Sequence, residues 1–478
     1  MTIQTDIAIL GSGPGGYVAA LRAAQLGAQV ALIEEKAIGG VCLNVGCIPS
    51  KALLRSAEVY RTFRQAETFG LRLEGNVMPD WPAIQARKET IVQQLVQGVE
   101  KLLHKAGVQV LRGRGRFVAP WTLEVTTADG VQRVDAKKIV IATGSRPVRL
   151  PLPGMDLPGV IDSTGALALE ALPKRFLIIG GGVVGVEFAD IFNAFDVKVT
   201  VVEMLDRLLP QMDADLGPAL AWTLGQRGVQ FYLNSGVTRV DAAPPSSPPT
   251  LGGKEGGGGL RATVITPGGE VEIEADRVLI AVGRRPNVED LSLKAAGVRF
   301  DKAGISVDAQ MQTNAPGIAA IGDVTGGPLL AHIAMRGGEV AVENALGHTA
   351  TLDLKTVPWC VYTDPEVASV GLTEALAREE GYDVRVGRFP LNASGKALTY
   401  GETDGFVKVV SEARFGEVLG LHVVAPHASD LIHEGGLALA LEATLDELIT
   451  TIHGHPTLGE AVREAVLEVR DGAFHSDC

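Results

Sequence analysis

Apolar residues along this chain fall into short unbroken runs that end at glycine, alternating with stretches in which they recur at helical spacing. Ile7-Ala8-Ile9-Leu10 runs directly into Gly11-Ser12-Gly13-Pro14-Gly15-Gly16; the alanine-rich stretch Tyr17 to Leu26 follows, and a second apolar run closes on Glu34. A run with no polar position is a strand covered on both faces, and its alternation with helical periods predicts βαβ units around a parallel sheet. The same order returns at Phe176-Leu177-Ile178-Ile179, then Gly180-Gly181-Gly182-Val183-Val184-Gly185, a helix through Phe188 and Ala194, and a strand from Val197 to Val202 closing on Glu203. Gly180 follows Gly11 by 169 positions and Glu203 follows Glu34 by 169, so both ends of the unit repeat at one offset, which argues for a duplicated fold.

Between the copies, Ser50 to Leu103 reads as mainly helical with a break at Pro79-Asp80-Trp81-Pro82, and Ile91, Leu95, Val99, Leu102 and Leu103 are expected to face the core. Short strands are expected around Val108 to Leu111 and Leu123 to Thr126. Lys138 to Ile141, ending in a turn at Gly144, has its counterpart in Arg277 to Ile280 ending at Gly283. After about residue 348, strands such as Val407 to Val410 mix with the helix-like stretch Leu431 to Ala443, and no glycine fingerprint appears, so this part should bind no nucleotide of its own. The fold class predicted is α/β, with two Rossmann-like dinucleotide-binding domains followed by an α+β C-terminal domain.

Composition narrows the partners. A net charge of -13 with no basic stripe disfavours nucleic acid and anionic membrane surfaces, leaving small substrates or proteins. Met1 to Asp6 carries no basic n-region, and apolar stretches such as Phe176 to Val186 are too short and glycine-rich to span a bilayer, so a cytosolic location is expected. Asp241 to Leu260, rich in proline and then glycine, reads as a surface insertion in the second copy.

The candidate chemistry starts at the cysteines. There are four, Cys42, Cys47, Cys360 and Cys478, too few for a disulfide framework. Cys42 and Cys47 stand five positions apart in Gly39-Gly40-Val41-Cys42-Leu43-Asn44-Val45-Gly46-Cys47-Ile48-Pro49-Ser50-Lys51. Bridging them requires a tight turn that Gly46 permits, and the helix formers that follow place both sulfurs near a helix N-terminus, where a thiolate is stabilised. A redox-active pair, a buried structural pair and a metal site all fit this spacing, although zinc sites usually have closer cysteines and four ligands. Cys360 reads as a packed strand residue.

In each glycine motif the residues have separate tasks. Gly11 and Gly180 make the tight turn, Gly13 and Gly182 let the backbone approach a pyrophosphate, and Gly16 and Gly185 let helix and strand pack closely. Glu34 and Glu203 accept hydrogen bonds from a ribose. A carboxylate at Glu203 suits the free 2′-hydroxyl of NAD and repels the 2′-phosphate of NADP, while nearby Arg207 keeps the alternative open. Near the C-terminus, His455 supplies an imidazole able to take and return a proton. Glu460, five residues on and past a turn at Pro456, is placed to hold the other ring nitrogen.

With these residues in hand, the chain resembles the dihydrolipoamide dehydrogenases, flavoproteins of the 2-oxo acid dehydrogenase complexes within the pyridine nucleotide-disulfide oxidoreductases. The resemblance spans nearly the whole chain. It rests on Gly39 to Leu54, both glycine fingerprints, Ala142-Thr143-Gly144-Ser145, Gly283-Arg284-Arg285-Pro286-Asn287, Ile321-Gly322-Asp323, Leu330-Ala331-His332, Tyr362-Thr363-Asp364-Pro365-Glu366 and His455-Pro456-Thr457-Leu458-Gly459-Glu460. After His332 the chain reads Ile333-Ala334-Met335-Arg336-Gly337-Gly338, where the family usually carries acidic residues.

The resemblance implies FAD in the first unit, NAD in the second, and a homodimer whose C-terminal domain supplies its histidine to the partner's active site. It implies an FAD-binding domain over 1–149, an NAD-binding domain over 150–284, a central domain over 285–347 completing the FAD site, and a dimerisation domain over 348–478. Cys42 would be the interchange thiol and Cys47 the sulfur against the flavin, the two joined by a disulfide. Lys51, Gly115, Thr143, Gly144, Ser145, Asp323, Leu330, Ala331 and His332 would line the FAD site, and Glu187 and Gly283 the nicotinamide side. The implied reaction oxidises dihydrolipoamide and reduces NAD, in company with a lipoyl domain and an acyltransferase core. A related reductase acting on glutathione or mercuric ion is the rival enzyme reading. Ile48-Pro49-Ser50-Lys51 is more similar to the lipoamide branch, and no C-terminal cysteine pair is present. A flavin-containing scaffold without turnover is the rival outside enzymes.

Overall fold

The computed structural model describes residues 2–243 and 259–475. Most of the expected insertion, and Cys478, lie outside the described residues. The flanks of the insertion are paired, Ala243 opposite Gly259 in the antiparallel strands Gly236–Ala243 and Gly259–Thr266. Two compact units divide the chain, the first Met1–Ala52, Ala83–Val148 and Gly283–Asp353, the second Leu53–Pro82, Arg149–Val282 and Leu354–Cys478.

In the first unit, strand Thr2–Leu10 lies between Val30–Glu34 and Gly130–Ile141, parallel to both. Gln109–Arg112 extends the sheet on one side, and Ile318–Ala320 pairs parallel with the last residues of Gly130–Ile141 on the other. Apolar runs with no polar position arise here because both faces are covered: Ala8, Leu10, Ile33 and Ile141 enter one core, while Ile7, Ile9, Leu32 and Val140 enter another. The chain goes from Thr2–Leu10 through helix Pro14–Gln25 to one neighbour and reaches the other neighbour later, so a topological switch point lies beside Leu10.

The long helix Trp81–Lys105 corrects one expectation. Val92, Val99 and Leu103 are buried as a stripe, but Leu95 is 42% exposed and Leu102 53%. At 3.6 residues per turn these two leucines lie roughly 60–80° round from Val92, so the apolar arc is wider than the arc that packs. The proline break is the start of this helix, at Trp81.

The second unit holds the repeated sheet. Its parallel strands run Gln230–Tyr232, Lys198–Val202, Arg175–Ile179, Arg277–Ile280 and Val160–Ile161, with the glycine-motif strand again at the centre. Phe176 and Phe192 meet edge to face at 4.5 Å, and Trp81 packs against Phe192 and Phe195, so aromatic rings bind helix Val183–Ala194 to its sheet. A five-stranded antiparallel sheet follows in the order Trp359–Val361, Glu366–Gly371, Val418–Ala425, Phe406–Glu412, Val384–Pro390. Helices Ala428–Ala440 and Glu460–Arg470 contribute Ile432, Ala461 and Ala465 to its core, which makes this part α+β. Cys360 sits half-buried in its first strand.

Two buried charge groups hold this unit. Arg61 bonds Asp190 and, at 2.8 Å, Asp364, with Asp190 almost fully buried. Arg61→Met would strand these carboxylates with only the more distant Arg227 beside them. The expected loss is about 3 kcal/mol of unfolding free energy in urea titrations. In the other group, Lys408 bonds Asp213 and Asp215 at 2.9 Å and Glu374 at 3.0 Å, next to buried His422. The His422 ring accepts from Ser369 Oγ at Nδ1, 2.7 Å away, and donates from Nε2 to the Leu372 carbonyl at 3.1 Å, so it is held neutral. Burial pushes its pKa down to about 4 against the attraction of Asp213. The unfolded chain takes up a proton below about pH 6.5 that the folded chain refuses, so this contribution is complete above that pH and is lost as pH falls toward 4. His422→Gln should therefore flatten the acid limb of stability by about 2 kcal/mol between pH 7 and 4.5, read from urea midpoints.

Candidate active site

The cysteine turn is helical. Gly40–Val45 forms a six-residue helix, Gly46 interrupts it, and helix Cys47–Arg64 begins at the second cysteine itself. A Cβ on Gly46 would sit 3.0 Å from the Val41 carbonyl oxygen and 3.4 Å from Cys42 Cα, so a side chain here would push the turn open by a few tenths of an ångström. Asn44 Nδ2 ties the turn internally, donating to the carbonyls of Ile38 at 2.9 Å and Gly40 at 2.8 Å.

Cys42 and Cys47 are brought into hydrogen-bonding contact by this turn. Both sulfurs lie in the first turn of a helix, but the two helices differ in length. Cys47 is the first residue of an 18-residue helix, whereas Cys42 is the third residue of the short one. The Cys42 thiol is pushed up by its hydrogen bond to Cys47, then by burial and by charge on Cys47, and Lys51 pulls it back by less. Cys42 is therefore held protonated, while Cys47 stands where a helix N-terminus favours an anion.

Both glycine motifs have the same local geometry. A Cβ on Gly16 would lie 1.9 Å from the Gly11 carbonyl oxygen, and one on Gly185 would lie 1.9 Å from that of Gly180. By contrast a Cβ on Gly13 or Gly182 would meet nothing within 4 Å. Those two residues are the N-caps of Pro14–Gln25 and Val183–Ala194, with no side chain capping either helix. Each motif thus leaves an open approach onto unpaired helix N–H groups, which fits a pyrophosphate.

The acids that close the units do more than was expected of them. Glu34 Oε2 accepts from Ser12 N at 2.8 Å and Ser12 Oγ at 2.6 Å, and Oε1 accepts from Lys36 N at 2.7 Å. Glu203 repeats this with Gly181 N at 2.6 Å and Leu205 N at 2.8 Å. Each carboxylate is already braced against the glycine turn before any ribose is considered.

Around the first motif the remaining residues converge through partners that were not singled out. Ser145 Oγ donates to Asp323 Oδ2 at 2.5 Å and accepts from Arg284 Nε at 2.8 Å. Thr143 Oγ1 donates to the Asn287 carbonyl at 2.9 Å, and Asn287 Nδ2 returns a bond to the Thr143 carbonyl at 2.9 Å. Asn287 N donates to Gly144 O at 2.9 Å. Strands Ser145–Pro147 and Arg284–Pro286 are paired here, just after Gly283. Leu330 is the N-cap of helix Ala331–Ala345, again uncapped by a side chain, with His332 exposed in its first turn. Gly115 is explained by packing, since Leu10 Cδ2 would lie 2.5 Å from its Cβ. Arg284 and Asn287 had a signal in the sequence, their place beside the glycine turn at Gly283, but their partners lie more than a hundred residues away.

In the second unit Glu187 is buried and accepts from Tyr362 N at 3.0 Å. His455 Nδ1 meets Glu460 Oε1 at 2.8 Å, and Glu460 Oε2 accepts from Thr457 N at 2.8 Å. Partial burial would raise the Glu460 carboxyl, but the Thr457 N–H and the His455 ring outweigh it and hold it below the usual range. The His455 side chain is 81% exposed. Its Nε2 edge is thus free to meet a substrate.

The family model for pyridine nucleotide-disulphide oxidoreductases matches residues 5–338, and that for the dimerisation domain of the same family matches residues 357–466. A dihydrolipoyl dehydrogenase of Bacillus subtilis is 42% identical over 99% of this chain and 100% of its own length. One from Thermus scotoductus is 44% identical over 98% of each. The crystal structure of LpdA from Mycobacterium tuberculosis superposes with a TM-score of 0.86 at 31% identity, over 97% of this chain and 99% of that one. The paired cysteines, the duplicated dinucleotide cradle and these likenesses over the whole length lead to one conclusion: the chain belongs to the pyridine nucleotide-disulphide oxidoreductases.

Proposed function

We propose that the protein is a dihydrolipoyl dehydrogenase, containing FAD and using NAD, which oxidises dihydrolipoamide to lipoamide. The observation that carries this is the Cys42–Cys47 pair, held in contact across the turn at Gly46 with Cys47 opening an 18-residue helix.

In the oxidised enzyme, Cys42 and Cys47 form a disulfide and the substrate's thiolate attacks Cys42, releasing Cys47 as a thiolate that the helix N-terminus stabilises. His455 takes the thiol proton at Nε2, because Nδ1 is committed to Glu460. The substrate's second thiol then displaces Cys42, closing lipoamide and leaving Cys42 as the protonated sulfur. FAD supplies two-electron transfer between the reduced cysteines and NAD. Gly11, Gly13, Gly16, Glu34, Lys51, Gly115, Thr143, Gly144, Ser145, Asp323, Leu330, Ala331 and His332 would hold the first cofactor. Gly180, Gly182, Gly185, Glu187, Glu203 and Gly283 would hold the second. Glu203, whose carboxylate accepts from two backbone N–H groups, favours NAD over a 2′-phosphorylated cofactor.

The assembly proposed is a homodimer, in which residues 348–478 form the dimerisation domain and present His455 to the partner's cysteines. Ile452, three residues before His455, is 96% exposed and apolar, as a contact with a second copy requires. The remaining domains are 1–149 and 285–347 for FAD and 150–284 for NAD. A lipoyl domain and an acyltransferase core are the proposed larger partners. Among the described residues no helix is long and apolar enough to cross a membrane. The proposed location is the cytoplasm. The deciding experiment is NADH oxidation by the yellow purified protein with lipoamide, glutathione disulfide or mercuric ion. Rapid turnover of either of the last two with none of lipoamide would replace this assignment by the related reductase.

A further inference from the structure

Nine residues, 451–459, carry His455 between helices Leu445–Thr450 and Glu460–Arg470; the seven from 451 to 457 are exposed except His453, and Leu458 is buried next to the second helix. The His453 side chain is only 9% exposed. Its Nε2 lies 2.8 Å from Glu434 Oε1, on helix Ala428–Ala440, and its Nδ1 lies 3.1 Å from the Thr451 carbonyl oxygen. A carbonyl oxygen only accepts, so Nδ1 carries the donated hydrogen, and the Nε2–carboxylate contact is a charge-assisted bond with a proton between the two groups. The ring also packs on Gly459, whose Cβ position is 3.6 Å from His453 Cδ2 and which immediately precedes Glu460.

We propose that His453 and Glu434 are positioning residues for the reaction, a partly buried imidazole–carboxylate pair that anchors the exposed loop and sets the alignment of Glu460 on His455. This rests on the acid–base reading of His455 given above. Two such pairs stand side by side on one loop. The outer one, His455–Glu460, faces substrate, and the inner one, His453–Glu434, faces the core. The coupling is electrostatic as well as steric, because His453 helps to hold the Glu460 carboxyl below its usual range, after the larger effects of the Thr457 N–H and of His455. The charged groups about this loop are Glu434 from helix Ala428–Ala440, and Glu460 and Arg463 from helix Glu460–Arg470, the guanidinium of Arg463 being engaged by the Ile449 carbonyl at 3.1 Å.

The test compares Glu434→Gln, which keeps shape and loses charge, with His453→Ala, in the purified FAD-loaded protein. Lipoamide turnover is measured across pH beside NADH-dependent ferricyanide reduction, which requires no proton transfer through His455. Both variants should lower kcat for lipoamide about tenfold with KM little changed, and ferricyanide reduction should be unaltered. The loss should fall on kcat for lipoamide and spare both KM and ferricyanide reduction, a split that a purely structural role would not produce. Unchanged kcat in Glu434→Gln would overturn the proposal, and so would equal losses in both assays. Turnover of lipoamide by the unaltered protein, read in the same plates, reports separately on the activity assignment.

Discussion

Cys47→Ser leaves a folded, yellow protein whose lipoamide turnover falls by about 10³-fold or more. Serine fills nearly the same volume at the first turn of helix Cys47–Arg64, and its hydroxyl can still bond Cys42, so neither the turn at Gly46 nor the dinucleotide cradle loses a contact. Oxygen cannot enter a reversible bond with Cys42, however, and the two-electron store is gone. Ferricyanide reduction by NADH should persist, because it bypasses the sulfurs. The result to look for is therefore a split between two assays on one preparation. Residual lipoamide turnover above a few per cent of the unaltered rate would show that electrons reach the substrate without this pair.

His455→Gln should lower lipoamide turnover by about 10²–10⁴-fold. The side chain is 81% exposed and its one protein partner through the ring is Glu460, so the substitution costs little stability and the loss falls on chemistry. Glutamine can donate to Glu460 but cannot take a thiol proton at neutral pH. Glu460→Gln is expected to cost about tenfold, since the amide can still orient the ring while its negative charge no longer favours the imidazolium. Because Glu460 sits below the ordinary carboxylate range, it is ionised throughout the neutral region, and the difference between Glu460→Gln and the unaltered protein should persist from pH 8 down to mildly acid pH. Near-normal lipoamide turnover in His455→Gln would remove the acid–base assignment.

Much of the architecture could be read from short stretches. Two glycine turns repeat because each solves one steric problem, with Gly16 and Gly185 both 1.9 Å from a carbonyl oxygen that no side chain could clear. The Glu460–His455 contact spans five residues and a turn, so its feasibility was visible in the spacing. Helix Trp81–Lys105 shows where such reading stops. Its apolar period gives the helix, but which part of the arc is buried depends on what packs against it, and Leu95 and Leu102 stay outside.

Residue order alone determined the duplicated α/β plan, the positions of the strands and helices, and the cysteine, glycine and histidine motifs, because periodicity and backbone sterics act over a few neighbours. Tertiary structure decided that the Cys42 thiol is pushed up, since that depends on its contact with Cys47 and on burial. It also decided that Glu34 and Glu203 brace their own glycine turns, that Arg284 and Asn287 meet Ser145 and Thr143, and that His453 turns inward to Glu434. These contacts join groups whose distance is set by the packed fold, and hydrogen bonds that short leave no trace in a one-dimensional pattern.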